Sequence, residues 1–410
     1  MKLVNAFLGS DVVGWSSTSL RNISRGSDLS NRSGGPTEKA PLAGTMIVSL
    51  CKRCDKQRRH RKHEPPTDMT IPDSTLSDAT SMTKRWNELA DRVLDGGTIT
   101  AEEGLAILRS DDSEVLDLLA AAYRVRYQRH GNRVHLNFLV NAKSGRCGED
   151  CGYCSQSRIS TAEIQKYPLL EENEILAGAR VAAERDAGTY CIVTSGRGPQ
   201  AQELAHVEQT VRQIKQEHKL GVCVSPGLLS PEQAQRLKAA GVNRVNHNLN
   251  TSERYYEQIC STHTYQDRLD TLDAVRAAGM EICSGGIVGM GETDEDVVEL
   301  ALRLGRFKVE ALPVNFWLPI EGTPLASDRK PTSLSPRYCL KVLALFRLAN
   351  PTTILRMGAG REEHLGCLQP MGLYAADSMF VGDYLTTKGQ PPTADYAMIE
   401  ALGFEVVEEG

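Results

Sequence analysis

Apolar residues take on a regular period only from Lys84 onward, where residues 84–94 (KRWNELADRVL) read as a helix. Thr100 and Glu103 have the spacing of a capping box ahead of Leu105, Ile107 and Leu108, so a second helix is expected there. A longer one runs through 115–127 and stops near Gly131. The texture then changes to short strand-like runs alternating with amphipathic helices. Eight strands are predicted, at 134–140, 188–194, 221–225, 244–249, 281–288, 312–317, 353–357 and 378–382. Between them, Ser230 with Pro231 starts a helix that Gly241 ends. Gly279 ends another, Ser335 with Pro336 starts another, and Gly403 ends the last. Strict alternation over eight strands predicts an α/β fold, a (β/α)8 TIM-type barrel behind N-terminal helices. An open doubly wound sheet would show a similar period.

At 40% hydrophobic and 24% charged residues, the composition supports a sizeable core and excludes a wholly disordered or fibrous chain. No apolar run approaches the ~18 residues that span a bilayer, so no membrane is expected as a partner. A net charge of −5 argues against a protein built to coat nucleic acid. The charge is uneven: residues 1–68 carry 12 Lys and Arg against 6 Asp and Glu, and the remainder 35 against 46. The head is also rich in Ser, Gly and Asn. A disordered extension is therefore expected over 1–82, followed by a barrel domain over 83–410. Met1, Met69 and Met82 are each candidate translation starts. The Arg- and Ser-rich head also resembles a transit peptide, apart from its six acidic residues. The cytoplasm is the expected location, or the mitochondrial matrix if the head is such a peptide.

Eleven cysteines, an odd number in a long chain with no apolar signal core, do not suggest a secreted disulfide framework. Reduced thiols serving metal binding or catalysis fit better. Cys147-x3-Cys151-x2-Cys154 directly follows the first predicted strand. Three thiolates at this spacing can wrap one face of a 4Fe–4S cubane and leave its fourth iron open to a substrate or cofactor. The alternatives are a zinc site completed by a distant residue, or three core cysteines. Gly145, Gly148 and Gly152 weigh against core packing, because such a loop turns tightly around something.

In a barrel, chemistry belongs at the C-terminal ends of the strands. Cys191, Cys223, Asn246, Asn248, Cys283, Asn315 and Arg356 come from six different predicted strands. Taken singly, each of the three isolated cysteines also reads as a small buried hydrophobe, and Arg356 as an anion binder or salt-bridge partner. In VNHNLNTS, strand alternation would turn Asn246, Asn248 and Asn250 to one side, with amides that can both donate and accept hydrogen bonds. His247 would face the other way as a structural histidine. Cys339 lies in an apolar helix and is expected in the core. Cys51-x2-Cys54, near RRHRKH, lacks a second ligand pair.

The cysteine triplet, with Tyr153 before its last member, resembles the signature of the radical S-adenosylmethionine superfamily. Gly285-x-Ile287-x-Gly289-x-x-Glu292 resembles that superfamily's motif beside the cofactor's adenine. The segments NAKSGRCGEDCGYCSQS, TYCIVTSGRGP, VNHNLNTS, HTYQDRLDTL, CSGGIVGMGET, PVNFWLPIEGTPL, CLKVLALFR, RMGAGRE and FVGDYLTT run in order over about 83–407. Together they are similar to the biotin synthase family. The resemblance implies a homodimeric barrel enzyme, a transferase that inserts sulfur into dethiobiotin. It implies a 4Fe–4S cluster on Cys147, Cys151 and Cys154 that cleaves S-adenosylmethionine to methionine and a 5′-deoxyadenosyl radical. It further implies a 2Fe–2S sulfur donor on Cys191, Cys223 and Cys283, with Arg356, rather than Arg361, as an unusual fourth ligand.

By the same resemblance, Tyr153, Asn248, Asn250, Gly285, Ile287, Gly289 and Glu292 lie at the cofactor. Asn248, Asn315, Thr386 and Thr387 lie at the substrate, although the two threonines also read as a loop cap. No conventional acid–base residue is implied. Asn250 and Val245 stand where some members have aspartate and tyrosine, which bears on the ribose contact of residue 250. Cys260, Cys339 and Cys367 match no ligand position. A flavodoxin- or ferredoxin-type protein is the expected electron donor. The competing readings are a related radical enzyme with another substrate, which should lack the deep cysteine set, and a zinc-bearing barrel that only binds.

Overall fold

The computed structural model describes residues 73–145, 147–328 and 334–407. Cys51, Cys54 and the expected extension as far as residue 72 lie outside the described residues. The first helix, Asp73–Leu94, starts earlier than the expected residue 84. The capping box before Ala101–Leu108 forms as read: Glu103 N donates to Thr100 Oγ1 (3.2 Å) and Thr100 N to Glu103 Oε2 (2.8 Å). Helix Val115–His130 follows and ends at Gly131, whose φ of +61° suits glycine.

The described residues form ten strands: β1 (Arg133–Lys143), β2 (Thr189–Thr194), β3 (Gly221–Ser225), β4 (Arg244–Asn246), β5 (Glu281–Cys283), β6 (Gly286–Val288), β7 (Ala311–Phe316), β8 (Ile354–Met357), β9 (Ser378–Phe380) and β10 (Glu405–Val407). All pair in parallel. The order is β1-β2-β3-β4-β5-β7-β8-β9, with β6 continuing the β5 stave beside β7. β9 returns to β1 through Asn137↔Phe380, so eight staves close a barrel and the open-sheet alternative falls away. Parallel neighbours need crossovers, here including helices Glu172–Glu184, Ala201–Glu217, Pro231–Ala240, Tyr265–Ala277, Asp294–Phe307 and Pro336–Ala349.

Three details depart from the expected strands. The run 281–288 is two strands, because the stave breaks at Ser284 and Gly285. A Cβ on Gly285 would lie 1.9 Å from the Pro313 carbonyl oxygen, so only glycine lets the stave press this closely on β7. β4 ends at Asn246 rather than at 249. β10 was not foreseen; it pairs with the start of β1 through Arg133↔Glu405, at the barrel end away from the strand C-termini.

Apolar strand residues such as Val222, Val245, Ile282, Leu312 and Leu355 are buried in the layer the helices cover. Helix Pro336–Ala349 is buried continuously from Cys339 to Leu348, sheathed by Ala101–Leu108 and Val115–His130. That explains both its all-round apolar character and the position of Cys339 in the core. At the N-terminal end of the strands, Arg347 Nη2 meets Asp377 Oδ1 at 2.5 Å, both side chains fully buried, and His130 Nδ1 lies 3.0 Å from Asp377 Oδ2. This ionic lock ties helix Pro336–Ala349 to the turn into β9.

Candidate active site

After β1 the chain turns at Gly145 (φ +68°) and enters the loop of the cysteine triplet. The loop is pinned on both sides: Gly152 N donates to Ile259 O (2.8 Å) and Leu325 N to Gly152 O (3.0 Å). The Asp150 carboxylate accepts from Ser261 N (2.9 Å) and Thr262 N (3.1 Å). Cys147, Cys151 and Cys154 all line a cavity of about 400 Å³ walled by residues that follow the strand C-termini. The peptide N–H groups of Glu149 and Gly196 face the Cys147 sulfur, and those of Gln156 and Ser157 face the Cys154 sulfur. Burial pushes both thiols up, and the N–H groups oppose it. Sulfurs so placed become anions when a cation sits beside them. Peptide dipoles aimed at sulfur fit the thiolates of an iron–sulfur cluster; a neutral core thiol has little use for them.

The asparagines reach the same cavity by a different route from the one expected. Strand alternation stops at Asn246, and the loop beyond it aims Asn248 and Asn250. Asn250 takes a left-handed φ of +70°, which asparagine tolerates. All three line the cavity. Asn246 Nδ2 donates to Asn248 Oδ1 (3.1 Å), Gly285 N donates to the same oxygen (3.1 Å), and Asn250 Nδ2 donates to Tyr153 Oη (2.6 Å). Asn315 enters from β7 with both amide ends tied to backbone, Nδ2 to Gly286 O (3.1 Å) and Oδ1 from Ala359 N (2.9 Å). Tyr153, Ile287 and Thr387 also line the cavity, whereas Gly285, Gly289, Glu292 and Thr386 do not. Glu292, whose carboxyl burial raises, folds back to accept from Gly289 N (2.5 Å) and closes the turn after β6. Thr386 Oγ1 lies 2.8 Å from Ser155 Oγ, beside Cys154. His247 is part of the cavity wall rather than turned away from it, and burial keeps it neutral.

Below the cavity, Cys191, Cys223 and Cys283 are all buried, and Cys191 and Cys223 are register partners on neighbouring strands. Cys223 hydrogen-bonds both of the other thiols. Hydrogen bonding to Cys223 and burial push the Cys283 thiol well up, against the charge of Arg356. Arg356, 1% exposed, places Nη1 3.8 Å from Cys283 Sγ and donates from Nε to Ser378 Oγ at 3.1 Å. No carboxylate among the described residues pairs with it, so the salt-bridge reading of Arg356 is not met. Arg361 is the residue that makes a salt bridge, to Asp395 at 2.8 Å. A buried guanidinium with no carboxylate partner, set beside the Cys283 thiol, fits a site for an anionic sulfur group. Asn246 Nδ2, 3.2 Å from Cys283 Sγ, links this set to the cavity above.

Sequence reasoning missed the surroundings of Cys151. Cys260 Sγ lies 3.6 Å from Cys151 Sγ, 3.3 Å from Asp150 Oδ1 and 3.2 Å from His263 Nδ1. Cys151 donates to Cys260; this bond and burial push the Cys151 thiol up, while the same bond draws Cys260 down. His263 Nδ1 is 2.6 Å from Glu149 Oε2 and its Nε2 is 2.9 Å from Arg268 Nη2. Arg268, itself buried, also donates to Asn248 O (2.7 Å). The signal was the spacing Cys260-x2-His263, which is that of metal ligands.

Residues 142–304 match the family model of the radical SAM superfamily, and residues 313–405 that of the Biotin and Thiamin Synthesis associated domain. The chain is 54% identical over 321 residues to a biotin synthase of Rhodopirellula baltica, covering 78% of this chain and 89% of that one. It is equally identical over 321 residues to a biotin synthase of Lysinibacillus sphaericus, covering 78% and 96%. Among solved structures, a methylornithine synthase superposes with a TM-score of 0.68 at 19% identity, over 78% of this chain and 98% of that one. An FeFe-hydrogenase maturase from Carboxydothermus hydrogenoformans does so at 0.66 and 17%, over 81% and 83%. Both share the fold.

Proposed function

The chain belongs to the biotin synthases of the radical S-adenosylmethionine superfamily and inserts sulfur into dethiobiotin; we propose that it does so with a 4Fe–4S cluster on Cys147, Cys151 and Cys154 and a 2Fe–2S cluster on Cys191, Cys223, Cys283 and Arg356. When bound, these groups and S-adenosylmethionine supply a 5′-deoxyadenosyl radical in the cavity and a sulfide beneath it. The observation that carries this reading is the presence of two thiol sets in one barrel, one lining the cavity and one buried beneath it, where the Asn246 amide of the cavity wall touches Cys283 of the deep set.

The remaining residues bind and orient. Tyr153 and Asn250 hold each other in place for the cofactor's ribose, and Ile287 packs beside its adenine. Gly285 donates to Asn248 Oδ1 from behind the cavity wall, Gly289 turns the chain after β6, and Glu292 fixes that turn. Asn248 faces cofactor and substrate together, and Asn315 presents a fixed amide to the ureido ring. Thr387 serves the substrate carboxylate, and Thr386 acts there through Ser155. Phe316, Trp317 and Leu139 give the cavity an apolar wall that keeps water from a radical. No side chain is required as acid or base for hydrogen abstraction. We further propose a homodimer, a flavodoxin- or ferredoxin-type electron donor and a cytoplasmic location; no helix among the described residues is long and apolar enough to cross a membrane.

The test is anaerobic turnover with dethiobiotin, S-adenosylmethionine and a reductant, following biotin and 5′-deoxyadenosine together. Brown protein forming both products supports the reading. A colourless zinc protein, or Cys151→Ala protein that still makes 5′-deoxyadenosine at the normal rate, contradicts it.

A further inference from the structure

We infer that Cys151 and Cys260 form a redox modification site: when Cys151 is not bound to iron, hydrogen peroxide joins the two sulfurs in a disulfide that small thiols reverse. The inference takes from the reading above only that Cys151 is a cluster ligand. The two sulfurs are 3.6 Å apart, and a disulfide needs about 2.05 Å, so the gap to close is roughly 1.5 Å. The segments that carry them are already tied together by Gly152 N to Ile259 O at 2.8 Å and by Asp150 to the backbone of Ser261 and Thr262. Side-chain rotation can therefore do most of the work, with little backbone movement. Both residues are buried, at 8% and 5% exposure, so an oxidised sulfur on either meets the other before it meets a thiol from solution.

Cys151, Cys260 and His263 also have the grouping of a metal site, but hydrogen bonding argues against that use. Arg268 can only donate, so His263 Nε2 accepts from it, and the proton sits on Nδ1. That proton points at Glu149 Oε2 and Cys260 Sγ, which leaves the ring without a lone pair facing the sulfurs. The trio thus offers two adjacent thiols rather than three ligands.

The chemistry balances with one peroxide. One sulfur attacks the O–O bond, giving a sulfenic acid and a water. The second sulfur then attacks the sulfenic sulfur; the S–S bond forms, the S–O bond breaks, and the hydroxyl leaves with the second thiol's proton as water. Two thiols and one hydrogen peroxide give one disulfide and two waters. Cys151 is thereby held in a reversible state instead of passing to sulfinic acid, from which it could no longer bind a cluster.

The test treats the full-length holoprotein with hydrogen peroxide until its iron–sulfur absorption is gone. Free thiols are blocked with iodoacetamide, and peptides are mapped by mass spectrometry before and after dithiothreitol. The expected product is a linked pair of peptides carrying Cys151 and Cys260, which dithiothreitol separates. In Cys260→Ser, Cys151 should pass instead to sulfinic and sulfonic acids, with a several-fold loss of the iron regained on reconstitution after dithiothreitol. If Cys151 of the unaltered protein is found joined to Cys147 or Cys154, or mainly in any state other than the 151–260 link, the inference is overturned; this map stands even if the variant folds poorly. Iron and sulfide measured before peroxide read the cluster assignment separately.

Discussion

Replacing Asp377 with asparagine tests the ionic lock under the barrel. Its Oδ1 meets Arg347 Nη2 at 2.5 Å and accepts from Leu355 N at 2.8 Å, and its Oδ2 lies 3.0 Å from His130 Nδ1. Burial alone would raise this carboxyl, but Arg347 and the hydrogen bonds outweigh it and hold the group below the usual carboxylate range. Asp377→Asn keeps the shape and leaves Arg347 buried without its counter-charge, a change that costs about 3–5 kcal/mol. At an unfolding entropy near 2.1 cal/mol/K per residue over roughly 330 folded residues, the predicted fall in Tm is about 4–7 °C. The assay is thermal unfolding of cluster-free protein followed by circular dichroism, with wild type and variant side by side. Because the folded carboxyl titrates below its unfolded value, its contribution is complete above pH ~4 and is lost as pH falls through the lower, folded value. The gap in Tm should therefore hold constant from about pH 8 to 5 and narrow only below about 4. A fall under about 1 °C, or a gap that closes between pH 8 and 6, would refute the reasoning.

Three further outcomes are expected. Gly358→Ala puts a Cβ 2.2 Å from Asn315 Oδ1; iron content should be unchanged while KM for dethiobiotin rises about tenfold, for ~1.4 kcal/mol of lost orientation, and an unchanged KM counts against Asn315 as a substrate ligand. Tyr153→Phe loses the 2.6 Å bond from Asn250; KM for S-adenosylmethionine should rise roughly fivefold, for about 1 kcal/mol, with both clusters still loaded, and loss of the clusters instead would make Tyr153 part of the metal site. A chain beginning at Met69 keeps helix Asp73–Leu94 whole and should load both clusters, dimerise and make biotin like the full chain; loss of activity in that shortened chain would show that the head packs on the barrel.

The barrel was readable because its evidence is local: β-α alternation, the Thr100 capping box and the glycine stops each need only a few neighbouring residues. The cysteine triplet was readable for the same reason, as three thiols in one short loop. What escaped was set by contacts distant in sequence. The break in the fifth stave depends on the Pro313 carbonyl pressing on Gly285, and β10 depends on a free edge at the start of β1. The asparagines were grouped correctly but for the wrong reason, since the left-handed turn at Asn250, not strand alternation, brings the last of them to Tyr153. Arg356 could not be separated from an ordinary ion pair by its type. Only the absence of a carboxylate around it, among the described residues, tells the two apart. Cys260 was passed over because its neighbour Cys151 is 109 positions away.

The most direct measurement is made on Cys283→Ala, reconstituted without oxygen, with iron content and Mössbauer spectra read beside the two products. The variant should keep about four irons of the six or so in wild type, lose the two-iron signal, continue to cleave S-adenosylmethionine to 5′-deoxyadenosine, and make no biotin. Biotin formed at the normal rate without a two-iron signal would contradict the assignment of the sulfur donor to the deep cysteines.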